Sequence, residues 1–200
     1  MPQGRYTVFD DGKPVGAESF RCAPGPMGWR YFSDVDTVDP SPHGEVIDVA
    51  VDAAWHIARV RIDTGEHHLL AEPRGEVLAG FRDGAEIEIP YGPQMHLDYF
   101  TPATNLITTK RLTATAEIDV AYLAPVTLEV SRTRQRYELR GPDEVETSSG
   151  RFAATRWTFT ALDSGWSADL WVAGDVVVAY DGLFELDRYE AGASGARPLA

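Results

Sequence analysis

Residues 152–180, FAATRWTFTALDSGWSADLWVAGDVVVAY, decide the fold class. From Phe152 to Leu162, Trp157 and Phe159 alternate with Arg156, Thr158 and Thr160, the period of two that gives a strand one apolar and one polar face. Ser164-Gly165 supplies a turn, after which Trp166, Ala168, Leu170 and Val172 resume the apolar face on a returning strand. Val176 to Tyr180 is apolar on both faces, the pattern of a central strand. Strands this long predict a sheet that curls, because their right-handed twist accumulates along the chain.

The same grammar extends outward. Asp11-Gly12, Thr64-Gly65, Asp83-Gly84, Ser149-Gly150 and Asp181-Gly182 read as further hairpin tips. They predict Tyr6 to Phe9 paired with Val15 to Cys22, either Val46 to Val51 or Trp55 to Ile62 paired with His67 to Leu70, and Val77 to Phe81 against Ala85 to Ile89. Two proline-bearing loops, Ala23 to Met27 and Pro40 to His43, interrupt the first half. The expected class is mainly β: a single curved antiparallel sheet wrapped as a β-roll or partly open barrel, with one or two short helices. Residues 1–190 form a single domain in this reading, and 191–200, AGASGARPLA, a disordered tail.

The departure from strand patterning is HLDYFTPATNLITTKRL, residues 96–112, which holds the one asparagine of the chain, Asn105. Thr101 can cap a helix, Pro102 suits its first position, and Ala103, Leu106 and Ile107 share a face. Lys110 and Arg111 then fall where the helix dipole favours cations. Asn105 has two readings, a side chain that locks this element and an amide that meets a ligand.

Composition removes several function classes. The net charge of −13 opposes general affinity for nucleic-acid phosphates. The single cysteine, Cys22, cannot form an intramolecular disulfide or a multi-cysteine metal site. A folded chain of this size buries roughly 70% of the surface its unfolded form exposes, so stability requires no cofactor, and none is expected. The N-terminal residues carry no basic and apolar leader, and no apolar run reaches spanning length, which predicts a cytoplasmic chain without stable membrane insertion.

Within this acidic chain, Lys110 to Arg140 carries six cations against four anions. Arg132, Arg134, Arg136 and Arg140 share one parity and project from one strand face. They can grip an anionic head group or pair with carboxylates on a solvated outer face. Leu128 and Val130 share that parity while Tyr137 and Leu139 oppose it, which predicts a bulge near Arg132 to Gln135. Trp29, Trp55, Trp157, Trp166 and Trp171, with Tyr99, Phe100 and Phe159, supply aromatic surface for a core or a ligand wall. Trp171 is the least core-like, since it shares the parity of Ser167 and Asp169. His67 and His68 are adjacent and point to opposite faces, so they cannot chelate one ion as a strand pair. No nucleophile elbow, phosphate loop or zinc-protease motif is present.

Asp98 with its aromatic pair, Thr101-Pro102-Ala103-Thr104-Asn105, Lys110-Arg111-Leu112, Leu123-Ala124-Pro125, Gln135-Arg136-Tyr137 and Tyr180-Asp181-Gly182-Leu183-Phe184 follow one another in an order that resembles a bacterial glycolipid-binding protein family. Lys110 stands where that family carries an arginine. The resemblance covers roughly Trp29 to Leu186 and implies a curved antiparallel sheet wrapped around short helices, similar to bacterial lipoprotein carriers, with an apolar concave face.

The expected function is non-enzymatic binding of a lipid, glycolipid or similar amphiphile in that concavity. Tyr99, Asn105, Lys110, Arg111, Arg134, Arg136, Tyr137, Trp157 and Trp171 are the candidate ligand-binding residues, with Lys110 and Arg111 at the mouth for a polar head. Two alternatives stand beside it. One is an enzyme acting on a small apolar substrate through Asp98 with His96 or Tyr137; the other is a protein-interaction module using an exposed sheet edge.

Overall fold

The computed structural model describes residues 1–38, 43–192 and 196–199. Eight strands follow one another as a meander: β1 (Gln3–Asp10), β2 (Lys13–Gly25), β3 (Gly28–Thr37), β4 (His43–Asp52), β5 (Ile57–Asp63), β6 (His68–Arg74), β7 (Val77–Arg82) and β8 (Ala85–Pro90). Then come β9 (Met95–Asp98), helix α1 (Pro102–Arg111), β10 (Ala116–Leu123), β11 (Val130–Thr147), β12 (Gly150–Ala161), β13 (Ser167–Ala173), β14 (Val176–Tyr180) and β15 (Phe184–Glu190). The fifteen strands of the described residues belong to one nearly closed, curved sheet ordered β8 to β1, then β15 down to β9. The antiparallel pair of β1 with β15 joins the two arms.

Five of the six predicted Gly-containing tips fall in strand connections and the sixth, Ser149-Gly150, at the junction with β12, which Gly150 opens; the first and third predicted hairpins are β1–β2 and β7–β8. In the second, β6 pairs with β5, which in turn pairs with β4. The expected loop at Ala23 to Met27 shrinks to a turn, since β2 continues through Pro24 to Gly25. Of the second expected loop, residues 40–42 lie outside the described residues and His43 opens β4.

Residues 193–195 and 200 of the expected disordered tail also lie outside the described residues. Ala196 is buried, and the Leu199 N–H donates to the Arg151 carbonyl across 2.6 Å. Small residues permit that approach: a Cβ on Gly174 would stand 2.8 Å from the Ala196 nitrogen.

The bulge lies elsewhere than expected. β10 and β11 pair without interruption from Ala116↔Tyr137 to Leu123↔Val130, and the register shifts instead between Leu139 and Gly141. Leu128 misled the parity argument because it belongs to the turn before β11, with a positive φ of 55°. Across the true bulge, the buried positions of β12 change from Phe152 and Ala154 to Trp157 and Phe159.

The helix forms where the sequence places it. Thr101 caps it, accepting from the Ala103 N–H, Pro102 opens it, and Lys110 and Arg111 close it. It also explains the one parallel pair, β9 with β10, since parallel neighbours need a crossover of this kind. The one-sided apolar face predicts a helix lying against a sheet, whereas Pro102 through Thr109 are all buried. Its threonines make this possible by bonding nearby backbone: Thr104 Oγ1 donates to the Tyr99 carbonyl just before the helix at 2.8 Å and Thr109 Oγ1 to the Leu106 carbonyl within it at 2.9 Å. The helix thus plugs the concavity of the sheet.

Candidate functional site

Beside the plug lies a predominantly apolar cavity of about 340 Å³, between the start of α1 and the strands β10 to β12, β14 and β15. Two aromatic walls define it. On one side Phe159, Trp166 and Tyr180 touch in a triangle with ring centroids 5.7 to 6.1 Å apart. On the other, Phe100 packs on Phe184 at 4.9 Å. Trp166 is 43% exposed and Phe100 37%, so both walls reach solvent at the mouth. The β13 hairpin supplies Trp166, while the tight segment between β9 and the helix cap supplies Phe100.

The polar lining includes Asp98, Asn105, Tyr122, Thr133 and Gln135. Asp98, at the end of β9, accepts from Gln135 Nε2 at 2.6 Å and from Thr104 Oγ1 at 3.1 Å. Burial raises its carboxyl above the ordinary value, against those hydrogen bonds. Behind it, Asn105 Nδ2 donates to the Tyr137 hydroxyl at 2.9 Å. Tyr137 stands edge-on to Phe159 at 5.4 Å and supports the aromatic wall from within the core.

Of the candidate residues, Tyr99, Asn105 and Arg134 line this cavity. Tyr99 spends its hydroxyl on Glu45 Oε2 at 2.6 Å. Arg134 reaches the rim from outside and pairs with Glu117 at 2.5 Å. Arg136 belongs to the outer face, as do Arg132 and Arg140, and each pairs with a carboxylate there. Of the two readings of the arginine stripe, this is the solvated outer face.

The remaining candidates lie apart. Arg111 donates to the Met95 and Pro93 carbonyls at 2.9 and 2.8 Å, pinning the β8–β9 connection. Lys110 Nζ lies 5.7 Å from the centre of the Trp55 ring, beyond the far end of the helix from the cavity. Trp157 is buried in the core, and Trp171 lies on the outer side, donating Nε1–H to Asp143 at 2.9 Å. Sequence reasoning left Trp166, Tyr180, Phe184 and Gln135 out of the site. The sequence did carry signals for them: Trp166 stands among the aromatics suited to a core or a ligand wall, and Tyr180, Phe184 and Gln135 belong to the segments that carry the family resemblance.

The enzymatic alternative needs polar groups converging in the cavity. Asp98 lines it, but His96 turns its Nδ1 toward Thr108 Oγ1 at 3.2 Å and Tyr137 lies behind Asn105. Among the described residues, no group of three or more histidine, cysteine or acidic side chains could hold a metal, and no helix is long and apolar enough to cross a membrane. The exposed edge strand β8 carries Glu86 and Glu88 and ends in Pro90, features that discourage strand addition.

Comparison with known proteins defines the class as a β-barrel-like fold. A DUF1089 family protein from Pseudomonas aeruginosa superposes with a TM-score of 0.60 at 23% identity, over 86% of this chain and 92% of that one. A beta-barrel-like protein of the domain of unknown function DUF1849 from Brucella abortus superposes at 0.54 with 6% identity, over 94% of this chain and 96% of that one. No family model matches the sequence, and no curated protein matches it either.

Proposed function

We propose that the chain is a non-enzymatic binding protein whose aromatic cavity takes a small amphiphile, the lipid or glycolipid class that the sequence resemblance implies. The observation that carries this reading is the pair of aromatic walls, both partly exposed where apolar surface is otherwise unfavourable, around an unfilled volume of about 340 Å³. At about 30 Å³ per water-sized group, that volume holds roughly eleven non-hydrogen atoms. A whole diacyl lipid is far larger, so a single short chain or the end of a longer one is the proposed occupant. The lone tryptophan in the wall gives a direct readout. Titration with a short-chain, uncharged fluorescent acyl ester is expected to quench Trp166 and to transfer its excitation to the probe, and Trp166→Phe to reduce that transfer. Absence of uptake, together with native mass spectrometry showing no copurified amphiphile, would sink the proposal.

A further inference from the structure

The charge lining this cavity is opposite in sign to the expectation from the basic zone. Asp98 is partly buried in the wall, both of its hydrogen-bonding side-chain partners, Thr104 and Gln135, are neutral, and it forms no ion pair among the described residues. Asp163 adds a second carboxylate at the rim. Among the described residues Arg134 is the one cation on the lining, and it is engaged with Glu117. Lys110 and Arg111, the expected anion contacts, are not part of the lining.

A carboxylate offers about four acceptor sites, of which Gln135, Thr104 and the Tyr99 backbone take three, so Asp98 keeps one for an amine N–H, while its charge alone attracts a quaternary ammonium, which has no donor. The faces of Phe159, Trp166 and Tyr180 carry the negative potential of aromatic quadrupoles. Both features attract a cation and repel an anion inside a low-dielectric wall.

Resting on the reading of the cavity as an amphiphile site, we infer that its ligand is an organic cation, an amine or quaternary ammonium bearing an apolar portion. The ammonium supplies the charge that Asp98 lacks, and the apolar portion covers the aromatic walls. Burial has raised the Asp98 carboxyl, the ordinary consequence of a buried acid with no counter-ion, and a bound ammonium draws it back toward ionisation.

Calorimetric titration with hexyltrimethylammonium, hexanol and hexyl sulfate tests this at neutral pH and constant ionic strength. The ammonium is expected to bind about tenfold tighter than the alcohol, with the sulfate weakest. Asp98→Asn is expected to bring the ammonium-to-alcohol affinity ratio close to one. Because Asp98 also holds Gln135, Trp166→Leu serves as a second variant: it removes a half-exposed π face, keeps apolar surface, and lowers the same ratio. Equal affinities for alcohol and ammonium, or tighter sulfate binding, overturn the cationic assignment and leave the amphiphile reading intact. Failure of all three probes to bind overturns the amphiphile reading itself. Tetramethylammonium binding as tightly as its hexyl analogue overturns the requirement for an apolar portion and assigns the site to a free small cation.

Discussion

Thr101, which caps α1, donates its hydroxyl to Glu18 Oε1 across 2.8 Å, and Tyr31 donates to the same oxygen at 2.7 Å. A fully buried carboxylate on β2 therefore anchors the start of the interior helix. Glu18 Oε2 and Ser33 Oγ make no hydrogen bond of good geometry among the described residues, although the Ser33 hydroxyl lies close enough to favour the ionised carboxyl. Burial raises this carboxyl from 4.5 to about 7, despite the donors that favour its ionised form. Thr101→Ala is expected to cost about 1 to 2 kcal/mol through loss of the cap and of one Glu18 donor, read as a lower urea midpoint with unchanged slope.

The helix that Glu18 anchors was legible in the sequence down to its cap, first residue and last turn, because capping chemistry is local. Its burial was not. Ala103, Leu106 and Ile107 give one apolar face, and nothing in a local pattern tells that Thr104, Thr108 and Thr109 will be enclosed as well. The strands were legible for the same reason as the cap: alternation and Gly turns act over a few residues. The cavity is assembled from β9, the cap segment and the turns after β12 and β14, far apart in sequence. Lys110 and Arg111 stood out by charge alone, and charge does not reveal that Arg111 is committed to backbone carbonyls.

Asn105 and Tyr137 should behave as a coupled pair. Asn105→Ala and Tyr137→Phe are each expected to cost about 1 to 3 kcal/mol, since each leaves a buried polar group without its partner. The double variant should cost less than the sum by about 1 kcal/mol, measured in a double-mutant cycle of urea unfolding. Strict additivity would show that the 2.9 Å contact contributes nothing.

Phe159 connects core and cavity: its ring meets Tyr137, Trp166 and Tyr180 and is nearly buried. Phe159→Ala is expected to destabilise the fold by about 3 to 5 kcal/mol. Phe159→Leu should cost less while enlarging the cavity, and a bulkier alkyl probe should then gain affinity relative to hexanol in the same titration.

Arg136 provides the opposite case. Its pair with Glu138 spans 3.6 Å on the outer face with both side chains partly exposed. Arg136→Gln is expected to change stability by less than about 1 kcal/mol and to leave amphiphile affinity within experimental error. A marked loss of binding would return the arginine stripe to the site.

Glu18 and His96 should pull the pH dependence of stability in opposite directions. The folded-state value of Glu18 is raised, so between 4.5 and about 7 the native state holds a proton that the unfolded chain has released. Stability from this group therefore falls as pH rises, by about 1.4 kcal/mol per unit within the window. His96 is the reverse. Burial, then the charges of Arg111 and His56, lower it from 6.5 to about 3, so the unfolded chain binds the extra proton and stability falls as pH drops through that range. The two slopes cancel between about 4.5 and 6.5, and single substitutions expose them. Glu18→Gln keeps an acceptor for Thr101 and Tyr31 and places an amide donor near Ser33 Oγ. Its stability relative to the parent should be level in acid and rise to a gain of about 3 kcal/mol once pH passes 7. His96→Gln should show its relative gain only as pH falls below 6.5. Urea midpoints measured across this range decide both, and a relative stability of Glu18→Gln that is independent of pH would mean that Glu18 titrates normally in the folded protein.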